Sequence, residues 1–224
     1  MWMMYGDSVK STNNLNVRTE RNMREWDKAQ AGYLYDANYD KSLAEARMKC
    51  KDLCYDFNQC KPSDVERQDE LIHRILGEIK GSATITAPFW CDYGINISVG
   101  NNFYTNHNCI ILDGARVSFG ENVFIAPNCI FSTAGHPIDR EQRADGLEIA
   151  LPITVGKDVW IGANVAVLPG VTIGDNTIIG AGSVVNKDIP SNVVAAGNPC
   201  KVIRKITDAD KNKYPVFTDS TCRV

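Results

Sequence analysis

The sequence predicts a mainly β chain, a coil of short parallel strands turning every six residues, entered through a helical cap and opened once by a long loop. Two observations carry the coil. Branched aliphatics recur every six residues at Val155, Ile161, Val167, Ile173, Ile179 and Val185. Gly follows at 156, 162, 174 and 180, and small or β-branched residues take the fifth place: Val159, Val165, Val171, Thr177, Ser183 and Ile189. A third observation carries the cap: residues 24–80 lack this beat and show helical stripes instead. A period of six is too long for an alternating strand and wrong for a helix. It fits short strands joined by tight turns, the aliphatic pointing into a prism and the next residue taking a turn conformation suited to Gly or Asn. Three beats close one triangular turn, and stacked turns pair their strands at roughly 4.8 Å.

Taken in order, residues 1–22 read as a mobile polar tail. Residues 23–80 form the helical cap. In "SLAEARMKCKDLCYDFN", Ser42 is a candidate N-cap; in "CKPSDVERQDELIHRILGEIKG", Ser63 and Glu66 have the spacing of a capping box. Leu71, Ile72, Ile75, Leu76 and Ile79 follow on one stripe, and Gly81 terminates it. Residues 81–204 form the coil. Its beat holds at Val99, Thr105 and Ile111, slips by two residues, and resumes at Phe119 and Ile125. The protruding loop 132–154 then stops it and holds His136 in "STAGHPID". Residues 205–224 are a C-terminal segment.

Composition narrows the function. The 224 residues carry a net charge of −3, without the basic excess of a nucleic-acid binder. No apolar run approaches membrane-spanning length, and "MWMMYGDSVKSTNN" lacks the apolar core of a secretion signal. The eight cysteines, at 50, 54, 60, 91, 109, 129, 200 and 222, are scattered without a CxxC, which suits free thiols in a reducing cytoplasm. Cys109 and Cys129 share the fifth place of a hexad and read as small buried side chains rather than ligands.

Several stretches together resemble the maltose/galactoside O-acetyltransferase family, hexapeptide-repeat acyltransferases. They are "AGYLYDAN" (31–38), "NFYTNHNCIILD" (102–113), "TAGHPID" (133–139), "PITVGKDVWIGANVAVLPGVTIGDNTIIGAGSVVNKDIP" (152–190) and "AAGNPCKVIRKI" (195–206). The resemblance runs from about residue 24 to 210 and is closer to the maltose type, because galactoside-type members carry a second acidic residue where this chain has Gly114. It implies a left-handed parallel β-helix, although the general preference of parallel crossovers is for the right hand. It also implies acetyl-CoA as co-substrate, a sugar hydroxyl as acceptor, no required metal, and a homotrimer with sites between neighbouring subunits. The histidine matching His136 acts in that family as general base.

Chemistry supports the last expectation. A sugar hydroxyl is a poor nucleophile at neutral pH, and imidazole is suited to take its proton during attack on a thioester. Pro137 restrains His136 to extended geometry, which helps aim the ring. Asn106 can donate its amide to a developing oxyanion, or serve as a turn residue. Tyr104 and Asp113 can line the acceptor pocket, though Asp113 could equally be an ordinary turn residue. Glu148 can orient His136, accept from a sugar hydroxyl, or be a solvated loop carboxylate. The resemblance places Arg47 and Asp92 on the sugar, with Asn38 (or, one register away, Asp36) where an acidic partner is expected. For CoA it selects Ala163 and Ala181 as the floor of a groove, Trp160 as its wall, and Asn186, Lys187, Lys201 and Arg204 toward the phosphates. A plain solvated surface is the competing account of those cations.

Two other classes use such a coil. A zinc-dependent carbonic anhydrase needs three histidines between coils; this chain has His73, His107 and His136, the first in a helix. A non-catalytic trimeric scaffold would leave the interrupted repeat unexplained, while an antibiotic or another hydroxylated metabolite could replace the sugar in the same chemistry.

Overall fold

The computed structural model describes residues 23–216; the tail expected at 1–22 and residues 217–224 lie outside them. Each beat of six is one short strand and one turn. Val155 pairs with Ile173, Ile161 with Ile179 and Val167 with Val185, so one coil takes eighteen residues. About six such coils stack into a left-handed parallel β-helix. Its three sides are sheets of five, five and seven strands. The last strand, Lys201–Lys205, turns back antiparallel on Val193–Ala196.

The first-place aliphatics fill the prism: Val155 is 2% exposed, and Ile161, Val167, Ile173, Ile179 and Val185 are wholly buried. The hydroxyls at the fifth place stay satisfied inside. Thr177 Oγ1 lies 3.1 Å from the Pro190 carbonyl; Ser183 Oγ donates to the Gly180 carbonyl and accepts from the Gly197 N–H. The left-handed turn residue falls two places later than the sequence suggests. It is the fourth of most of the sixes, as at Asn102, Asn122, Asp158 and Asn176, with φ between 49° and 58°. The second-place glycine answers to space instead: a Cβ on Gly162 would stand 2.6 Å from the Ala181 nitrogen of the next coil. The turn side chains stack as a ladder, Asn102 donating to Asn122 and Asn122 to Asp158.

Outward-facing residues make the three sides unlike. Glu78, Ser98, Ser118, Thr154 and Thr172 run along one side. Trp90, Ile110, Ile130, Ala166 and Val184 run along the second. Tyr104, Phe124, Trp160, Ile178 and Val194 run along the third. One ladder is polar and the other two are apolar or aromatic.

The cap has three helices, α1 (Glu25–Gln30), α2 (Lys41–Gln59) and α3 (Val65–Ile75). Aspartates cap the two long ones: Asp40 accepts from Leu43 N–H and Asp64 from Arg67 N–H, one or two residues from the expected serines. A carboxylate there also meets the positive end of the helix dipole. Helix α3 ends at Ile75, not at Gly81, because Glu78–Ile79 already pairs with Ile97–Val99 as the first rung of the prism. Cys50, Cys54 and Phe57 of α2 and Leu71, Ile72 and Ile75 of α3 are continuous with the prism core and close its open end.

The loop at 132–154 is a pinned ribbon. Ala134–Gly135 pairs antiparallel with Leu147–Ala150, which pairs antiparallel with Tyr35–Asp36 of the cap. A short helix α4 (Arg140–Ala144), capped by Asp139, forms its tip. No helix among the described residues is long and apolar enough to cross a membrane.

Candidate active site

The two-residue slip and the long loop are one feature repeated. Ile111 pairs with Phe131, twenty residues on, whereas Val167 pairs with Val185, eighteen on. Phe131 pairs with Val167, thirty-six on. All the extra length falls at one corner of the prism: residues 92–96 in one coil, 113–116 in the next, and 132–152 in the third. The cap packs against this corner, and a small core of Ala29, Tyr35, Ala37, Leu43, Tyr93, Ala115 and Ala150 joins the three layers.

Asp113 braces the corner. Its Oδ1 accepts from the backbone N–H of Asp92 (3.0 Å) and Tyr93 (2.8 Å), and its Oδ2 from Asn96 N–H (3.3 Å). It is wholly buried, so the pocket-lining role expected for it gives way to its alternative, a turn residue. Burial pushes its carboxyl up to about 7, Asp92 adds to this, and the backbone donors oppose it.

A polar cleft of about 160 Å³ opens in front of this brace, lined by Tyr35, Asn38, Arg47, Lys51, Asp92, Tyr93, Gly114 and Glu148. Four of the expected sugar-contacting residues, Asn38, Arg47, Asp92 and Glu148, therefore converge. Arg47 donates to Tyr93 Oη and to the Ala37 carbonyl, both at 2.6 Å, which fixes its guanidinium. Asn38 donates to the Gly146 carbonyl at 2.7 Å. Asp36, the alternative to Asn38, spends its Oδ1 on the N–H groups of Asn38 and Tyr39. Burial raises Asp92, while Lys51 and Arg47 pull it down.

Lys51, Tyr35 and Tyr93 were not singled out from the sequence. Lys51 stands four residues after Arg47 on α2, the spacing that puts two side chains on one helix face. Tyr35 donates its hydroxyl to Glu148 Oε2 at 3.1 Å, and burial beside that carboxylate holds the phenol protonated well above its ordinary range. A Cβ on Gly114 would lie 3.1 Å from Tyr35 Oη, so the missing second acidic residue leaves room for this tyrosine.

His136 stands at the rim on the loop ribbon. Its Nδ1 is 3.2 Å from the Leu147 carbonyl, which can only accept, so Nδ1 carries the proton and Nε2 is left with its lone pair. Nε2 lies 3.9 Å from Glu148 Oε1; the histidine side chain is 55% exposed and the glutamate 19%.

Asn106 and Tyr104 are elsewhere within one chain. Asn106 begins the neighbouring corner, across the strand Cys109–Leu112, about 13 Å of extended chain from the cleft corner. Its Oδ1 accepts from His107 N–H at 2.8 Å, as its turn reading requires. The same corner holds Ala163 and Ala181 in adjacent coils, linked by Gly182 N–H donating to the Ala163 carbonyl at 2.8 Å. Trp160 precedes that corner and is 54% exposed, whereas Asn186 and Lys187 are exposed at the next corner, just after the strand Val184–Val185. Lys201 is exposed on the last strand. Arg204 is not a free cation: it forms two hydrogen bonds to Asp210, at 2.8 and 2.6 Å, so a carboxylate already occupies the fork expected for a phosphate.

With this geometry in view, two family models match the chain: the maltose acetyltransferase hexapeptide capping motif over residues 28–81 and the six-repeat bacterial transferase hexapeptide over residues 152–187. The galactoside O-acetyltransferase of Escherichia coli K12 is 47% identical over 193 residues, covering 86% of this chain and 95% of that protein. A maltose O-acetyltransferase from Clostridium difficile superposes with a TM-score of 0.81 at 45% identity, over 83% of this chain and 99% of that one. A galactoside acetyltransferase in complex with coenzyme A superposes with a TM-score of 0.83 at 47% identity, over 88% and 98%.

Proposed function

Because the chain belongs to the maltose/galactoside O-acetyltransferase family, we propose that it moves the acetyl group of acetyl-CoA directly to a hydroxyl of a maltose- or glucose-like sugar, with His136 as general base. The observation that carries this reading is the hydrogen bond from His136 Nδ1–H to the Leu147 carbonyl. It leaves Nε2 as the acceptor at the rim of a cleft furnished with Arg47, Lys51, Asn38 and Asp92, the donors and acceptors that a sugar needs. Nε2 takes the hydroxyl proton as the oxygen attacks the thioester carbon; when the C–S bond breaks, the imidazolium passes that proton to the departing sulfur, so CoA leaves as its thiol without an acyl-enzyme. Glu148 faces the imidazolium formed in that step and stabilises it. The relative that binds coenzyme A supports the same co-substrate here, in a groove along Trp160, Ala163 and Ala181 with Asn186, Lys187 and Lys201 toward the phosphates.

The acting unit is a homotrimer. Its support is the contrast between one polar side and two sides whose outward ladders carry Trp90, Ile110, Ile130, Phe124 and Trp160. Both apolar sides flank the corner of Asn106, so packing that corner between copies buries them and brings Asn106 of one subunit toward His136 of another. There the Asn106 amide donates to the oxyanion. The test is CoA thiol release from acetyl-CoA across a panel of sugars and hydroxylated antibiotics. Acceptor-dependent release with glucose or maltose is expected; release with the antibiotics alone, or with no acceptor tried, would overturn the substrate class.

A further inference from the structure

Behind the cleft, three thiols converge where cap meets prism. Cys50 and Cys54 stand one helical turn apart on α2, and Cys91 ends the strand Phe89–Cys91. Cys91 Sγ lies 3.5 Å from Cys50 Sγ and 3.7 Å from Cys54 Sγ, and all three sulfurs are within 4.8 Å of one another. A disulfide needs about 2.05 Å, so no pair is bonded. Three thiolates around one ion at about 2.3 Å stand about 3.8–4.0 Å apart, close to the 3.5 and 3.7 Å that separate Cys91 from Cys50 and Cys54. Cys54 is wholly buried, and Cys50 and Cys91 are each 3% exposed.

The triangle is also held rigid from outside. Asn58, one turn beyond Cys54, donates to the Phe89 carbonyl at 3.0 Å and accepts from the Phe89 N–H at 2.8 Å. This two-point clamp sets the register of α2 on the strand that carries Cys91. Among the described residues no other three His, Cys, Asp or Glu side chains gather in this way.

We propose that Cys50, Cys54 and Cys91 form a binding site for a soft divalent cation of the Zn²⁺ type, which staples the helical cap to the first coil. Binding converts three S–H groups to thiolates and releases their protons to solvent. A divalent ion then leaves one net negative charge in the buried site, where a monovalent ion such as Cu⁺ would leave two, and burial disfavours the larger charge. The ion takes no part in acetyl transfer. It sits under the cleft, because Cys50 precedes Lys51 and Cys91 precedes Asp92, both of which line it.

The test needs no acetyl acceptor, so it stands or falls apart from the enzymatic reading. Reduced full-length protein is stripped with a chelator, reloaded with Zn²⁺ under anaerobic conditions, gel-filtered and analysed for metal. One Zn²⁺ per chain is expected, a higher unfolding temperature in its presence, and thiolate-to-metal charge-transfer absorption when Cd²⁺ is used as probe. Cys54→Ala and Cys91→Ala should each weaken binding by about a hundredfold or more, while Cys109→Ala should bind as the native chain does. Native protein with no stoichiometric Zn²⁺ and no Cd²⁺ absorption would overturn the proposal, as would a disulfide mapped among the three. Folded variants that keep full binding would overturn it too. If the variants do not fold, the native stoichiometry and absorption decide alone.

Discussion

Two neighbouring corners of the prism are cut from the same repeat and do opposite things with it. At the corner of Asn106, Ala163 and Ala181 every turn keeps its length, so coil stacks on coil and backbone donors meet backbone acceptors, as in Gly182 N–H to Ala163 O. The result is a smooth, small-residue edge. At the other corner three successive coils depart from the beat, by two residues, by two again, and by the loop that carries His136. There side chains from the cap and all three layers are pulled together, and the departures need their own brace in Asp113. Regular repeat makes a surface along which an extended molecule can lie; broken repeat makes a cleft.

The contrast is broken most directly at His136. His136→Ala should lower kcat by about 10²–10⁴-fold, the usual worth of general-base assistance, while the chain stays folded and still retains CoA. Steady-state kinetics beside circular dichroism checks this, and a folded variant with native kcat would pass the base role to Glu148. The next largest effect joins the two corners. Ile130→Lys, on an apolar side, should dissociate the proposed trimer and cost about 10²–10³-fold in activity as the proposed Asn106 donor leaves. Thr154→Lys, on the polar side, should change neither; sedimentation with parallel assays decides.

A third prediction belongs to the cleft corner alone. Asp113 ordinarily titrates near 3.8 and is held up to about 7 in the folded chain. Between these values the folded protein binds more protons than the unfolded one. Its stabilising contribution is therefore complete below about pH 4, falls as pH rises toward 7 by up to about 1.4 kcal/mol per unit, and then levels off. Urea unfolding across that range should show the decline in the native chain and a shallower one in Asp113→Asn; equal slopes would put the titration elsewhere. The smallest effect is at the far end of the smooth corner. Lys201→Ala should raise the KM for acetyl-CoA about threefold at low salt, and Arg204→Ala less, since Arg204 is already paired with Asp210.

Much of this was legible in residues. The aliphatic beat named the inward positions, and the interruption at 132–154 singled out His136. Cap residues are harder: resemblance points to Arg47 and Asn38, and the sequence does not single out Lys51, Tyr35 or Tyr93. A helix-face spacing links Lys51 to Arg47, but nothing local tells Tyr35 that it will meet Glu148, one hundred and thirteen residues away. Asp113 could not be sorted into lining or bracing, because both readings put an aspartate in the same turn. Arg204 looked free because its partner lies six residues on, in a short 3-10 turn with no periodic signal.

The six-residue beat is enough to specify the prism, since each beat buries its own aliphatic and repeats the same local geometry in every coil. It also determined that the prism would be opened once, because an inserted stretch without the beat cannot stack. Folding alone brings the slips at 92–96 and 113–116 and the loop at 132–152 to one corner, because that depends on counting coils in register. It likewise decided that Asn106 lies on another corner from His136, and that Cys91 meets Cys50 and Cys54. These are meetings between distant parts of the chain, set by how the cap docks on the coil and written in no local pattern.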